Sequence, residues 1–248
     1  MILENNFDCS RFELKYRIHY QDYLKIRNAL RIYMKKDIFT MKAKGNGYLV
    51  RSLYFDSDDY ASYHEKMDGN NERVKLRIRS YEKKPNKKSP IRVELKMKKR
   101  DLVIKRSTFV SFDEYLYFMQ KGHWKNTDNT TLREFERYRL SKQHNAKVLI
   151  EYYREGYETK LKNGLRITFD HRVKSFHSKE LFPDYGFFRE HNPHLVIMEI
   201  KFTDDLPDWV KGLVHTYGLK TIANSKFTQG IQSARNDLYH PGGVVVIR

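Results

Sequence analysis

Apolar and basic side chains alternate with period two along Val74-Lys75-Leu76-Arg77-Ile78-Arg79-Ser80-Tyr81. Successive side chains of a β-strand point to opposite faces, so the spacing predicts a strand with one apolar and one basic face. A single strand of this kind is ordinarily half-buried, with its charges in water. Here the pattern recurs. Arg11-Phe12-Glu13-Leu14-Lys15-Tyr16, Arg92-Val93-Glu94-Leu95-Lys96-Met97-Lys98 and Ile197-Met198-Glu199-Ile200-Lys201-Phe202 each carry Glu-x-Lys inside the same alternation. One charged face repeated on several strands predicts the staves of a single barrel with a charged interior.

Between the strands the period changes to that of helices. Tyr23, Ile26, Leu30 and Tyr33 predict an amphipathic helix over 21–34, after a first strand over 11–18. Residues 42–47 read as a loop around Gly45-Asn46-Gly47, and 48–56 as a strand. Ser57 is placed to cap a short helix over 58–67, with Asp58 and Asp59 in its first turn. A polar loop over 83–89 leads to a hairpin whose strands start at Arg92 and Leu102 and turn at Lys99-Arg100-Asp101. Ser111 opens a helix with Phe112, Tyr115, Leu116 and Met119 on one face, and Gly122 stops it. Residues 130–142 read as a charged helix. Strands over 147–158 and 165–173 join through Lys162-Asn163-Gly164, a hairpin signal. An irregular aromatic loop over 182–193, a strand over 195–203 and helices over 207–217 and 226–237 complete the core. Residues 244–247 are read as a final edge strand or a free tail.

No composition shift or solenoid repeat divides the chain. The expected architecture is one α+β domain over 1–248, with a core over about 10–238 and a tail over 239–248. Its centre is an antiparallel eight-stranded β-barrel tunnel. The apolar strand faces point outward against amphipathic helices, and the charged faces point inward.

Charge turns this picture toward chemistry. A formal net charge of +17 predicts a polyanionic partner. Cations facing one another in a barrel repel strongly unless a dense anion lies between them. Lys75, Arg77, Arg79, Lys96, Lys105, Arg154, Arg166, Lys201 and Lys226 are the candidate liners. Guanidinium forks grip phosphate oxygens in pairs and lysines act as point charges, so a triphosphate or polyphosphate chain suits the row. The interleaved carboxylates of Glu199, Glu13 and Glu94 cannot hold phosphate directly. They can hold a divalent metal that bridges phosphate oxygens, or balance charge locally in the case of Glu13 and Glu94.

Other chemistries find less support. Cys9 is the only cysteine, which excludes an internal disulfide and fits a reducing compartment. The histidines show no metal-ligand spacing, and Ser52 and Ser225 have no adjacent His/Asp arrangement for nucleophilic catalysis. No apolar run reaches the ~18 residues of a membrane span, and Met1 to Asn6 lacks the features of a secretion signal. The chain therefore reads as soluble and cytoplasmic. Nucleic-acid binding would put the basic residues on helices or exposed faces, and the interleaved glutamates disfavour it.

These motifs together resemble the VTC domain. This is the catalytic domain of eukaryotic vacuolar transporter chaperone polyphosphate polymerases, which also occurs as stand-alone bacterial proteins. It belongs to the triphosphate tunnel metalloenzymes, alongside CYTH phosphatases and RNA triphosphatases. The resemblance rests on Ser52-Leu53-Tyr54-Phe55-Asp56, Lys75 to Tyr81, Glu94-Leu95-Lys96, Tyr152-Tyr153-Arg154, Leu165 to Asp170, Met198 to Phe202 and Ser225-Lys226-Phe227, in that order. It implies a metal-dependent polyphosphate polymerase that moves the terminal phosphate of ATP onto a growing inorganic polyphosphate chain, with manganese or magnesium as cofactor.

By this resemblance Arg77, Arg79, Lys96, Arg154 and Arg166 serve catalysis. Lys15, Lys66, Lys75, Lys105, Lys201 and Lys226 bind substrate, and Glu199, with Glu13 and Glu94, holds metal. Lys66 stands where the family usually has an arginine, and Arg11 where CYTH-type relatives have a first glutamate. A membrane-protein partner would reside in a separate chain. A triphosphatase acting on inorganic triphosphate or a nucleotide, and a catalytically silent polyphosphate-binding module, are the competing readings.

Overall fold

The computed structural model describes residues 12–45, 47–100, 102–160 and 164–234. In chain order they form β1 (Phe12–His19), α1 (Tyr20–Leu30), β2 (Met34–Lys36), α2 (Ile38–Lys42), β3 (Tyr48–Asp56), α3 (Ala61–Met67), β4 (Glu72–Ser80), β5 (Ile91–Lys99), β6 (Leu102–Val110), α4 (Phe112–Lys121), α5 (Thr130–Ser141), β7 (Asn145–Thr159), β8 (Arg166–His177), β9 (Arg189–Glu190), β10 (Leu195–Phe202), α6 (Asp208–Thr216) and α7 (Lys226–Ala234). Cys9, Arg11, the turn residue Asp101, the Lys162-Asn163 pair and the expected strand over 244–247 lie outside the described residues.

All strands join one antiparallel sheet, with β1-β10-β8-β7-β3-β4-β5-β6 as its main path. The short β2 adds to β7 and the short β9 to β8, giving ten strands in place of the expected eight. The expected closed barrel is not formed: among the described residues, β1 and β6 do not pair. The reason is visible at the free edge of β1. Ile222 donates its N–H to the Lys15 carbonyl at 2.8 Å, and Thr221 bridges Tyr16. The segment before α7 thus occupies the edge that closure would require. The sheet still curls into a trough, because Glu13 on β1 reaches Lys96 on β5 at 3.8 Å.

The outer face carries two apolar clusters. Leu53, Leu76, Ile78, Val93 and Leu95 pack against Tyr115 and Phe118 of α4 and Leu132 and Phe135 of α5. Tyr16, Ile167, Phe169, Met198 and Ile200 pack against Tyr23, Ile26 and Leu30 of α1 and Val210 and Leu213 of α6. Period-two strands meet period-3.6 helices here, and their burial is the main stabilising term. A third cluster lies on the inner face, which the charged pattern does not suggest. Val50, Tyr54, Ile150 and Tyr152 receive Phe227 and Ile231 of α7. A β-bulge helps: β8 places two residues opposite Tyr152, and Arg172 there has φ 50°. It turns Val173 inward beside this cluster, although Arg166, Thr168 and Asp170 face inward with the opposite parity.

Several local signals act as expected. The Ser111 hydroxyl accepts the Glu114 N–H at the start of α4, and Gly122 ends that helix with φ 76°. The helix expected over 58–67 starts at Ala61. Ser57 accepts the Ala61 N–H, but the main cap is the Asp56 carboxylate, which accepts from Ser57, Ser62 and Tyr63. The helix expected over 21–34 stops at Leu30, and Met34 to Lys36 instead extends along Tyr157 to Thr159. The loop expected over 42–47 is preceded by α2, capped by Asp37 through the Thr40 N–H at 2.8 Å. Among the described residues, no helix is long and apolar enough to cross a membrane.

Candidate active site

The inner face of the trough gathers the predicted charges into three groups. In the first, Glu94 on β5 is the hub. Its carboxylate meets Arg77 at 2.5 Å, Lys105 at 2.8 Å, Arg79 at 3.6 Å and Arg92 at 3.7 Å. Register explains the meeting, since Arg77 stands directly opposite Glu94 across the β4–β5 ladder. Burial would raise the Glu94 carboxyl, but Arg77, Arg79 and Lys105 hold it well below the usual carboxylate range. Burial pulls the Lys105 amine down to about 8 despite Glu94. The guanidiniums are also fixed from β3: Arg77 donates to the Tyr54 hydroxyl at 2.9 Å, and Arg79 to the Ser52 hydroxyl at 3.1 Å.

The second group centres on Glu199 and Asp170. Arg154 grips both Asp170 oxygens at 2.6 and 2.7 Å and donates to Glu199 at 3.1 Å. Lys226, at the start of α7, lies 2.5 Å from Asp170 and 2.8 Å from Glu199, and Lys201 lies 3.4 Å from Glu199. Burial opposes the ionised form of both carboxyls, yet the surrounding cations hold both below their ordinary values, Glu199 far below. The same contacts push the Lys226 amine up against the effect of burial. Burial keeps Lys201 below its usual value even with Glu199 beside it.

The third group is short of negative charge. Glu13 pairs with Lys15 at 3.2 Å and with Lys96 at 3.8 Å. Burial disfavours its ionisation, but Lys201 and Lys15 hold its carboxyl below the ordinary value. Lys75 donates to the Ser225 hydroxyl at 3.0 Å. Its amine falls to about 7, first through burial and then through repulsion by Lys96, Lys66 and Lys15. Lys66 on α3 is lowered by burial and by Arg73, Lys98 and Lys15. Lysines crowded in this way favour a dense anion, which would relieve their mutual repulsion. A cavity of about 250 Å³ opens here between Glu13, Lys15, Lys66 and Asn224.

Arg166 stands apart from the other predicted liners. Its guanidinium turns to Asp37 at 2.6 Å and is 40% exposed at the rim of the trough. Asp170, Ser225 and Asn224 were absent from the predicted set. Asp170 continues the alternation of Arg166 and Thr168, so parity alone could have identified it. Ser225 and the backbone of Asn224, which accepts from Lys15 at 3.0 Å, come from a segment without periodicity.

Among the described residues, no group of three or more His, Cys, Asp or Glu could hold a metal by itself. Glu13 and Glu199, on adjacent strands, are close enough to feel each other's charge. Their oxygen donors would suit a hard divalent cation such as magnesium or manganese, which would draw further ligands from elsewhere.

A family model described as the VTC domain matches residues 10–235. None of the curated proteins compared with the chain is a match. Among solved structures, a Bacillus halodurans protein named as a candidate adenylate cyclase is 15% identical, with a TM-score of 0.51 over 86% of this chain and 92% of that one. It shares the fold. A Vibrio parahaemolyticus protein with the same designation is 12% identical over 88% of this chain and 96% of that one, with a TM-score of 0.45. The triphosphatase of the Mimivirus capping enzyme is 12% identical over 86% of this chain and 89% of that one, with a TM-score of 0.36.

Proposed function

The chain belongs to the VTC-domain family, and from that premise we propose that it is a polyphosphate polymerase that transfers the terminal phosphate of ATP to a growing inorganic polyphosphate chain. The observation that carries the reading is the lysine group of Lys15, Lys66, Lys75 and Lys96, with Glu13 as its paired carboxylate. The trough also holds two arginine-carboxylate groups. A bound nucleoside triphosphate occupies the arginine groups, and the phosphate-chain acceptor enters through the lysine group.

Phosphoryl transfer needs positioning and charge more than a protein nucleophile. Arg77, Arg79 and Arg154 are already oriented by Glu94, Tyr54, Ser52 and Asp170, so little reorganisation accompanies substrate binding. Lys75, Lys96, Lys105, Lys201 and Lys226 neutralise the charge on the transferring group and its neighbours. Arg166 contributes from the rim once released from Asp37. Glu199 and Glu13 would hold the divalent metal, and Glu94 orients its arginines. Magnesium or manganese bound there supplies Lewis-acid neutralisation of phosphate oxygens.

A triphosphatase would use the same cradle with water as the acceptor. The test is incubation of the pure protein with ATP and manganese, read by a polyphosphate gel and by phosphate release. Polymer with ADP is the expected result. Phosphate without polymer would overturn the polymerase reading in favour of the hydrolase. Arg77→Ala and Arg79→Ala should each abolish triphosphate binding with the fold retained, and wild-type activity in both would remove this site.

A further inference from the structure

We propose that Phe39, Tyr48 and Tyr81 seat the base of a nucleoside triphosphate, and so fix which end of the trough receives the nucleotide. The inference rests on the reading of the trough as a triphosphate site. It starts from α2, which is unusual for a helix of five residues. Its anchoring is polar: Asp37 binds Arg166, and the Thr40 hydroxyl accepts the Gly156 N–H at 2.7 Å. Ile38, Phe39 and Met41 remain 56%, 55% and 68% exposed, so core packing does not account for them.

The Phe39 ring stands beside Tyr48 of β3 and Tyr81, just past the end of β4. Its centroid lies 5.6 Å from that of Tyr48 and 6.2 Å from that of Tyr81, and it is within 14° of parallel to Tyr81. These tyrosines mark the arginine end of the trough. Arg154 and Arg166, with Asp37, are charged neighbours of Tyr48, whereas Arg79 and Glu94 lie near Tyr81 and Arg92 hydrogen-bonds to it. An open aromatic surface therefore adjoins the guanidiniums that would grip phosphate. Beside the lysine group, the Phe227 ring lies 5.0 Å from the Lys75 amine and is buried.

A nucleotide matches this layout. Its base stacks on Phe39, and its triphosphate runs inward past Arg79 and Arg154 toward Lys75. The terminal phosphate then lies nearest the cavity bounded by Glu13, Lys15, Lys66 and Asn224, through which an acceptor chain enters. Base and acceptor occupy opposite ends.

A structural role for Phe39 would change stability without separating ligands that carry a base from those that do not. The experiment is therefore isothermal titration of the wild type, Phe39→Leu and Phe39→Trp with ATP and with inorganic tripolyphosphate, at fixed magnesium. Phe39→Leu keeps an apolar side chain but removes the ring. It should weaken ATP by about ten- to a hundred-fold, the usual worth of one stacked base, and leave tripolyphosphate unchanged. Phe39→Trp should retain ATP affinity. Equal losses for both ligands, or no loss for ATP, would overturn the base seat while leaving the triphosphate site in place. A wild type that binds neither ligand would remove the triphosphate reading and this inference with it.

Discussion

Glu94→Gln takes the counter-charge from the centre of four cations while preserving side-chain volume. Glu94 is buried, with Arg77 and Lys105 within 2.8 Å and Arg79 and Arg92 within 3.7 Å. A unit pair at ~4 Å is worth about 4 kcal/mol at an effective dielectric of about 20, and desolvation of the carboxylate offsets much of the sum. Removing one member of a buried ion pair typically costs about 3–5 kcal/mol. Lys105 is 44% exposed and solvent screens its share, which points to the lower end, about 3 kcal/mol. For a domain of this size that loss lowers the melting temperature by roughly 6–12 °C.

Tripolyphosphate returns negative charge to the same arginines, so its stabilising shift should be larger in the variant than in the wild type. Urea unfolding and thermal melts with and without tripolyphosphate measure both effects. The linkage has a definite sign. A carboxyl held below its unfolded value stabilises the fold above that value, 4.5, and the benefit is lost as pH falls toward the folded value. Acid should therefore destabilise the wild type more than Glu94→Gln. A variant within about 0.5 kcal/mol of the wild type, with an equal tripolyphosphate shift, would refute the reasoning.

Lys75 titrates near 7 in the free protein, so tripolyphosphate should bind less tightly as pH rises from about 6 to 9. Lys75→Arg, which stays charged, should flatten that profile in titration calorimetry; parallel profiles would exclude Lys75 as the source. Gly230→Ala places a methyl group 2.7 Å from the Ile150 Cδ1 atom and should destabilise the docking of α7 by about 1–3 kcal/mol, less any helix-propensity gain. Reduced tripolyphosphate affinity should accompany the lower melting temperature, since α7 carries Lys226. Asp37→Ala removes the cap of α2 and the partner of Arg166, and chemical denaturation should register a loss of about 1–2 kcal/mol. Glu199→Gln should raise the manganese concentration needed for half-maximal activity several-fold, and an unchanged metal titration would remove its ligand role.

The charged face was legible because period-two alternation is local and β1, β4, β5 and β10 each carry it. Arg77, Glu94, Lys105, Arg154, Glu199 and Lys201 all lie on the inner face, as their parity requires. Parity says nothing about closure, which depends on what reaches the edge of β1. The answer came from Thr221 and Ile222, far along the chain and in no periodic segment. The turn into β2 and the short α2 were missed for a related reason. Their stability comes from Tyr157 to Thr159 and from Arg166, contacts that a window of neighbouring residues does not contain. The apolar inner cluster was hidden because most of its members lie on β3, β7 and α7, whose inward positions carry no charged alternation, and the bulge at Arg172 adds Val173 of β8 to them.

The strap over the edge of β1 also sets the order in which the protein can be made. Lys15 finds its carbonyl partner on Asn224, 209 residues later, and Phe12 pairs with Phe202. Contacts of such long sequence separation form late in folding and slow it. On a ribosome the opening strand must wait, without its lattice partners, until nearly all of the described chain has been synthesised. An incomplete nascent chain therefore holds the Glu94 group, which lies wholly on β4 to β6, but not the groups that need β1, β10 and α7. The last pieces of the site, Asn224, Ser225 and Lys226, arrive only with this segment, and a product cut short before Thr221 would lack them and the cover on the β1 edge.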